Sequence, residues 1–143
     1  MARDIFHPIV REALEKDGWT ITHDPYSVKI MGRDYAIDLA AEQIVAAQRG
    51  MDKIAIEVKS FVSPSISYEF HTVLGQYLNY HTFMEIKEPE RVLYLAVAKN
   101  VYNEFFIEEG TQLILNKFSI NTIVINAESK TIEAWMLRSK PTR

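Results

Sequence analysis

Ile54-Ala55-Ile56-Glu57-Val58-Lys59-Ser60 is the stretch on which the reading of the fold turns. Side chains alternate across a strand with period two, so Ile54, Ile56 and Val58 share one face while Ala55, Glu57 and Lys59 share the other. A carboxylate and an ammonium therefore leave the strand on the same side, opposite a wholly apolar face. A second acid stands upstream in Tyr35-Ala36-Ile37-Asp38-Leu39-Ala40, where alternation sets Ile37 and Leu39 against Ala36, Asp38 and Ala40. If the two stretches pair in a meander, Asp38, Glu57 and Lys59 gather on one face. They would offer two hard oxygen ligands and one cation, a donor set suited to Mg²⁺ or Mn²⁺. The plain alternative is a salt bridge among strand residues, and an Asp…Glu-x-Lys match in isolation favours it.

Working outward, the segment before these strands reads as a helix over residues 4–16, with Ile5, Phe6, Ile9, Val10, Ala13 and Leu14 on one face and a stop at Asp17-Gly18. Asp4 is placed to cap it, and Pro8 is tolerable there only within the first turn. After an extension at residues 19–22 and a turn at Asp24-Pro25, apolar stretches at 28–31, 35–40 and 53–59 read as an antiparallel meander. Gly32-Arg33 and Arg49-Gly50-Met51-Asp52 supply its turns, and residues 44–47 either prolong the middle strand or form helix. Pro64 and the serines at 63, 65 and 67 break the third strand and offer caps for a long helix over about residues 67–86, closed by Glu88-Pro89. Residues 92–98 form a continuous apolar run, as in a parallel strand covered on both faces. Helical segments near 101–117 and a hairpin at 122–125 and 131–137 complete the order αβββαβ followed by αββ. The expected class is α/β, a mixed sheet flanked by helices.

The chain has 143 residues, 48% of them hydrophobic, and shows no repeat or linker, so one domain over residues 1–143 is expected. With no cysteine, neither a disulfide framework nor a thiolate zinc site is available, which suits a reducing cytoplasm. Arg3 and Asp4 interrupt the N-terminal segment, and no apolar run has the length of a signal peptide or membrane span. The formal charge of −3 excludes a broad basic surface of the kind that grips nucleic acid unaided, although Arg138, Lys140 and Arg143 make residues 138–143 cationic.

The position of Asp38 and Glu57-Val58-Lys59 on the second and third strands of αβββαβ resembles the PD-(D/E)xK, or restriction-endonuclease-like, superfamily. That resemblance implies a metal site at Asp38 and Glu57 with the Val58 carbonyl as a further ligand, and Lys59 acting on the phosphate. The acids stand 19 positions apart, implying an extended hairpin, and the motif's proline is absent. Gln76-Tyr77-Leu78-Asn79-Tyr80 is similar to the Q-x-x-x-Y of RecB-type nucleases, in which the glutamine lies beside the active site. Gln76 and Tyr80 face the same way, one helical turn apart. Tyr80 also reads as a core residue. Such members carry a metal-ligating histidine on the first helix, where His7 stands here, with Glu12 as its rival; the glycine usual four residues before that histidine is Arg3. Dimerisation, common among nucleases of this fold, is expected by the same analogy.

Over its whole length the chain resembles the XisH family of fdxN-element excision controlling factors, most clearly at residues 16–25, 55–61, 75–81 and 91–100. The resemblance implies a part in programmed excision of a DNA element, with a separate site-specific recombinase and an XisI-like protein as partners. Two readings remain open. One is a Mg²⁺-dependent nuclease or nuclease-like factor built on Asp38, Glu57, Lys59 and Gln76. The other is a non-catalytic accessory protein that binds the recombinase, XisI or DNA, which the acidic charge suits.

Overall fold

The structure, a computed structural model, describes residues 2–27, 44–62 and 64–139. Helix α1, Ala2–Lys16, is followed by strands β1, Thr20–His23, β2, Ile44–Arg49, and β3, Asp52–Val58. Helix α2, Ile66–Lys87, crosses over to β4, Val92–Ala98. A short helix α3, Lys99–Val101, runs into a π-helical turn, Tyr102–Phe106, then α4, Glu109–Lys117, and the strands β5, Thr122–Asn126, and β6, Thr131–Met136. Among the described residues the sheet has six strands in the order β1-β2-β3-β4-β5-β6. Strands β3, β4 and β5 run parallel, and the two antiparallel pairs β1/β2 and β2/β3 on one side are matched by β5/β6 on the other. This is the mixed α/β architecture expected, with the C-terminal hairpin in place.

The two apolar faces of the sheet define two cores. Ile54, Ile56 and Val58 pack with Val45, Ala47, Tyr94 and Ala96 beneath α1, which contributes Phe6, Val10, Ala13 and Leu14. Ala55 lies in the opposite core with Ile44, Ala46, Leu93 and Leu95, beneath α2 through Phe70, Val73, Tyr77, Tyr80 and Met84. Strand β4, expected as a strand covered on both faces, has Leu93 to Val97 buried and sits between β3 and β5. Ser65 caps α2, its side chain accepting from the Tyr68 N–H at 3.3 Å, so the serine-rich break does start the helix. Arg49 pairs with Asp52 across a two-residue turn, and Gly50 takes the positive φ of 61° that the first position of such a turn demands. Asn126 shapes the last hairpin, its side-chain oxygen accepting from the N–H groups of Glu128 and Ser129, both at 3.1 Å.

The expected start of α1 needs correction. Helix α1 begins at Ala2, so Asp4 lies inside it and is not its cap, and Pro8 falls in the second turn. Pro8 brings no N–H to the bond that would run to the carbonyl of residue 4; the helix persists because Phe6, Val10, Ala13 and Leu14 bury its apolar face. The extension at residues 19–22 supplies the first strand of the sheet, and residues 44–47 are strand, not helix. The apolar stretches at 28–31 and 35–40, with the Gly32-Arg33 turn, lie outside the described residues.

A charged cluster fastens the C-terminal end of α2 to the start of β3. Arg91 donates through Nε to Glu88 Oε1 at 2.9 Å, through Nη2 to Oε2 at 3.3 Å, and through Nη1 to the Ile54 carbonyl at 2.9 Å. Tyr26 donates its hydroxyl to Glu88 as well, and the Arg91 guanidinium lies 4.9 Å from the centre of the Tyr26 ring. The Arg91 hydrogen bond, assisted by those of Tyr26 and by Arg91 and Lys53 charge, pulls the Glu88 carboxyl from 4.5 down to about 2, against its burial. Burial and the Glu88 contact push Tyr26 up to about 12. Because the folded value for Glu88 lies below the unfolded one, its contribution to stability is complete above about 4.5 and is lost as pH falls towards 2. Urea denaturation across that window will show stability falling with acidification, and Glu88→Gln will flatten this part of the profile. An unchanged slope in the variant would show that the cluster is not what couples folding to pH.

Candidate metal centre

Glu57 stands in the interior of the sheet, opposite Ile44 of β2 and Leu95 of β4, and is 0% exposed. Alternation from Ala55 sends its side chain toward α2, away from the Ile54/Ile56/Val58 face. Among the described residues, neither carboxylate oxygen has a hydrogen-bond partner. Burying a carboxylate without donors is costly, and the cost appears as a pKa raised from 4.5 to about 8, with desolvation the main cause and the charge of Lys59 opposing it. Most buried polar groups in proteins are hydrogen-bonded, so a pair of carboxylate oxygens without a donor among the described residues marks Glu57 as a candidate ligand.

Lys59 follows two residues later, where the strand ends but its N–H still donates to the Ala96 carbonyl at 3.3 Å. Its ammonium lies 3.7 Å from Glu69 Oε2 in the first turn of α2, with both side chains largely withdrawn from solvent. Gln76 is half-buried on α2. At 3.6 residues per turn, Glu69, Val73, Gln76 and Tyr80 form one stripe of that helix. Val73 and Tyr80 are buried in the core over Ala55, so this stripe faces the sheet surface from which Glu57 projects. Beneath it, the Tyr77 hydroxyl donates to the Leu93 carbonyl at 2.8 Å and accepts from the Asn121 N–H at 3.1 Å. Burial chiefly, with the nearby Glu57 charge, pushes the Tyr77 hydroxyl well above its ordinary range.

The other residues singled out from the sequence are placed as follows. Asp38 lies outside the described residues, six positions upstream of Ile44, the residue opposite Glu57. Val58 buries its side chain under α1. His7 Nε2 lies 2.9 Å from both oxygens of Asp24, which also accepts from Arg11 at 2.9 Å. Glu12 pairs with Lys16 at 3.4 Å and with Lys130 at 3.8 Å. Both α1 residues are thus engaged elsewhere, on the helix that covers the face opposite Glu57. Among the described residues no three His, Cys, Asp or Glu side chains are grouped to hold a cation. The two oxygens of Glu57 nevertheless suit a hard divalent ion, which prefers carboxylate ligands. Glu69 is the residue that sequence reasoning missed: an acid in the first turn of a helix reads as an ordinary dipole partner, and only the crossover from β3 brings it to Lys59.

Fold and site together define an α/β protein whose mixed sheet carries on β3 a buried acid without a donor among the described residues, with a lysine just past that strand's end. The chain belongs to the XisH family: the family model described as XisH protein matches residues 1–133. It is similar to an XisH family protein from Nostoc punctiforme PCC 73102, with 39% identity, a TM-score of 0.85, and coverage of 93% of this chain and 99% of that one. It is also similar to a fdxN element excision controlling factor protein from Anabaena variabilis, with 40% identity, a TM-score of 0.84, and coverage of 93% and 98%. No curated protein matches the chain. Among the described residues, no helix is long and apolar enough to cross a membrane.

A buried carboxylate without a donor is a burden on the fold. Replacing buried ionic groups by apolar residues of similar size is often stabilising, by about 1–4 kcal/mol. Glu57→Met is therefore expected to unfold at higher denaturant concentration than the parent protein in chelator at pH 8. A variant less stable than the parent would mean that Glu57 has a structural partner.

Proposed function

We propose that this protein is a divalent-metal-dependent, nuclease-like factor that acts on DNA phosphodiesters in the controlled excision of a DNA element. The observation that carries the reading is the Glu57 carboxylate, wholly buried beside Lys59, with neither oxygen meeting a hydrogen-bond donor among the described residues. Family membership and likeness to an excision controlling factor supply the biological setting.

In this reading Glu57, Asp38 and the Val58 carbonyl hold Mg²⁺ or Mn²⁺, with His7 or Glu12 available to complete the shell only by leaving its present partners. A bound cation supplies Lewis-acid polarisation of a phosphoryl oxygen and neutralises charge that builds there. The chain's own residues do the rest. Lys59 places an ammonium where negative charge accumulates on the pentavalent phosphorus and its equatorial oxygens. Gln76, from the stripe of α2 above the sheet, offers an amide that can orient water or phosphate through directed hydrogen bonds. The low-dielectric floor made by Ala55, Val73 and Tyr77 strengthens each of these electrostatic contacts. With a formal charge of −3 the chain lacks the basic surface for tight unaided binding to DNA, so a recombinase or an XisI-like protein is the natural means of delivery, and a homodimer would present two such sites.

The test pairs calorimetric Mn²⁺ titration with a plasmid-nicking assay on the parent protein, Glu57→Gln and Asp38→Ala. The expected outcome is saturable Mn²⁺ binding that weakens at least about tenfold in either variant, with nicking by the parent alone. Loss of both binding and nicking in the parent protein would reject the reading. Binding without nicking, even with partner proteins added, would favour the accessory role in which the metal site is structural.

A further inference from the structure

The pairing of Lys59 with Glu69 assigns a part to a residue outside the Asp38/Glu57/Lys59 set. We infer that Glu69 is a positioning residue: it occupies the Lys59 ammonium in the DNA-free protein and yields it to an incoming DNA phosphate. The inference rests on the nuclease-like reading above for what the phosphate does next, but not for the exchange itself.

Three observations carry it. The first is geometry: Lys59 Nζ lies 3.7 Å from Glu69 Oε2, close enough for an ion pair but beyond a direct hydrogen bond. Such a pair holds the ammonium without locking it. The second is exposure: the two side chains are 22% and 16% exposed, so the pair is partly screened from water yet reachable from outside. An anion arriving there replaces one acceptor by another without stripping Lys59 of all compensation.

The third observation is how the pair is enforced. Directly after Lys59 and Ser60, Phe61 takes a positive φ of 55°, a conformation uncommon for a non-glycine residue, and buries its ring edge-on against Phe106 at 5.5 Å. Phe70, the neighbour of Glu69, meets the same Phe106 ring edge-on at 5.5 Å and Phe105 at 5.2 Å. The chain leaving β3 and the first turn of α2 are therefore fastened to one aromatic cluster at the π-helical turn. Lys59 and Glu69 each stand next to an anchored residue, or two residues from one. Ser65 caps the helix between them, which fixes where its first turn begins.

The carboxylate thus serves two ends. It keeps the ammonium extended toward the site in the absence of DNA, and it competes with phosphate for that ammonium. Removing its charge while keeping its shape should free Lys59 for DNA and loosen its placement. The first effect tightens binding, and the second slows turnover, a combination that a merely structural acid in a helical first turn would not produce.

The experiment is a double-mutant cycle on DNA affinity, read by fluorescence anisotropy of a short labelled duplex with the full chain in Ca²⁺, using the parent protein, Glu69→Gln, Lys59→Ala and the double variant. Circular dichroism melts confirm that each is folded. Glu69→Gln is expected to tighten binding roughly three- to tenfold, and that gain should vanish when Lys59 is already alanine. Equal tightening in both backgrounds would show only the removal of a negative charge and would overturn the inference, as would no change, weaker binding, or no DNA binding by any variant. Where the parent protein nicks DNA, Glu69→Gln should lower KM and kcat together. A protein that shows the affinity cycle but neither Mn²⁺ binding nor nicking would leave the exchange standing and reject the nuclease-like reading alone.

Discussion

A carboxylate held in the middle of a sheet, with no donor to meet it among the described residues, is the constraint around which this molecule is organised. Glu57 lies in β3 between β2 and β4, and its orientation follows from strand alternation alone: with Ile56 and Val58 committed to the core under α1, Glu57 has no choice but the face under α2. The same parallel pairing of β3 with β4 that removes it from water also sets Lys59 at the end of the strand, where the sheet gives way to solvent. Charge compensation must therefore come from outside the strand.

The crossover helix decides which polar groups face that side of the sheet. Helix α2 buries Phe70, Val73, Tyr77, Tyr80 and Met84, and the stripe that carries Val73 and Tyr80 into the core necessarily carries Glu69 and Gln76 along the same line. The apolar packing that stabilises the fold thus determines which polar groups overlook Glu57. At the far end of the helix, Glu88 is satisfied by Arg91 and Tyr26, so the two buried or half-buried acids have opposite fates. One is driven below its ordinary pKa by the Arg91 hydrogen bond, and the other is driven above it by burial. Among the described residues, then, one acid is thoroughly paired and the other has no donor, and a buried acid of the second kind is the natural candidate for a ligand.

Much of this was legible in the order of residues. The period-two pattern of residues 54–59 disclosed both the strand and the side from which Glu57 and Lys59 project, because one face is uniformly apolar and a strand has only two faces. The serines around Pro64 announced the start of α2, and the apolar run at 92–98 announced a strand covered on both sides. Other features carried weaker signals. Ile44 to Ala47 are all buried, so the run has no polar side to reveal a period; strand was the first reading and helix stayed open beside it. Thr20–His23 is a short and largely exposed edge strand that only its pairing with β2 identifies. The start of α1 was sought at a capping acid, whereas tertiary burial extends the helix past Asp4 and through Pro8. Glu69 could not be read at all, since its meaning depends on a contact between residues 59 and 69 that the aromatic cluster enforces.

The most direct measurement is the anomalous difference map of crystals grown with saturating Mn²⁺, recorded on both sides of the manganese absorption edge. The account predicts a peak roughly 2.0 to 2.6 Å from a Glu57 carboxylate oxygen. A map with no manganese at Glu57, and that carboxyl instead protonated and sealed within the core, would contradict it.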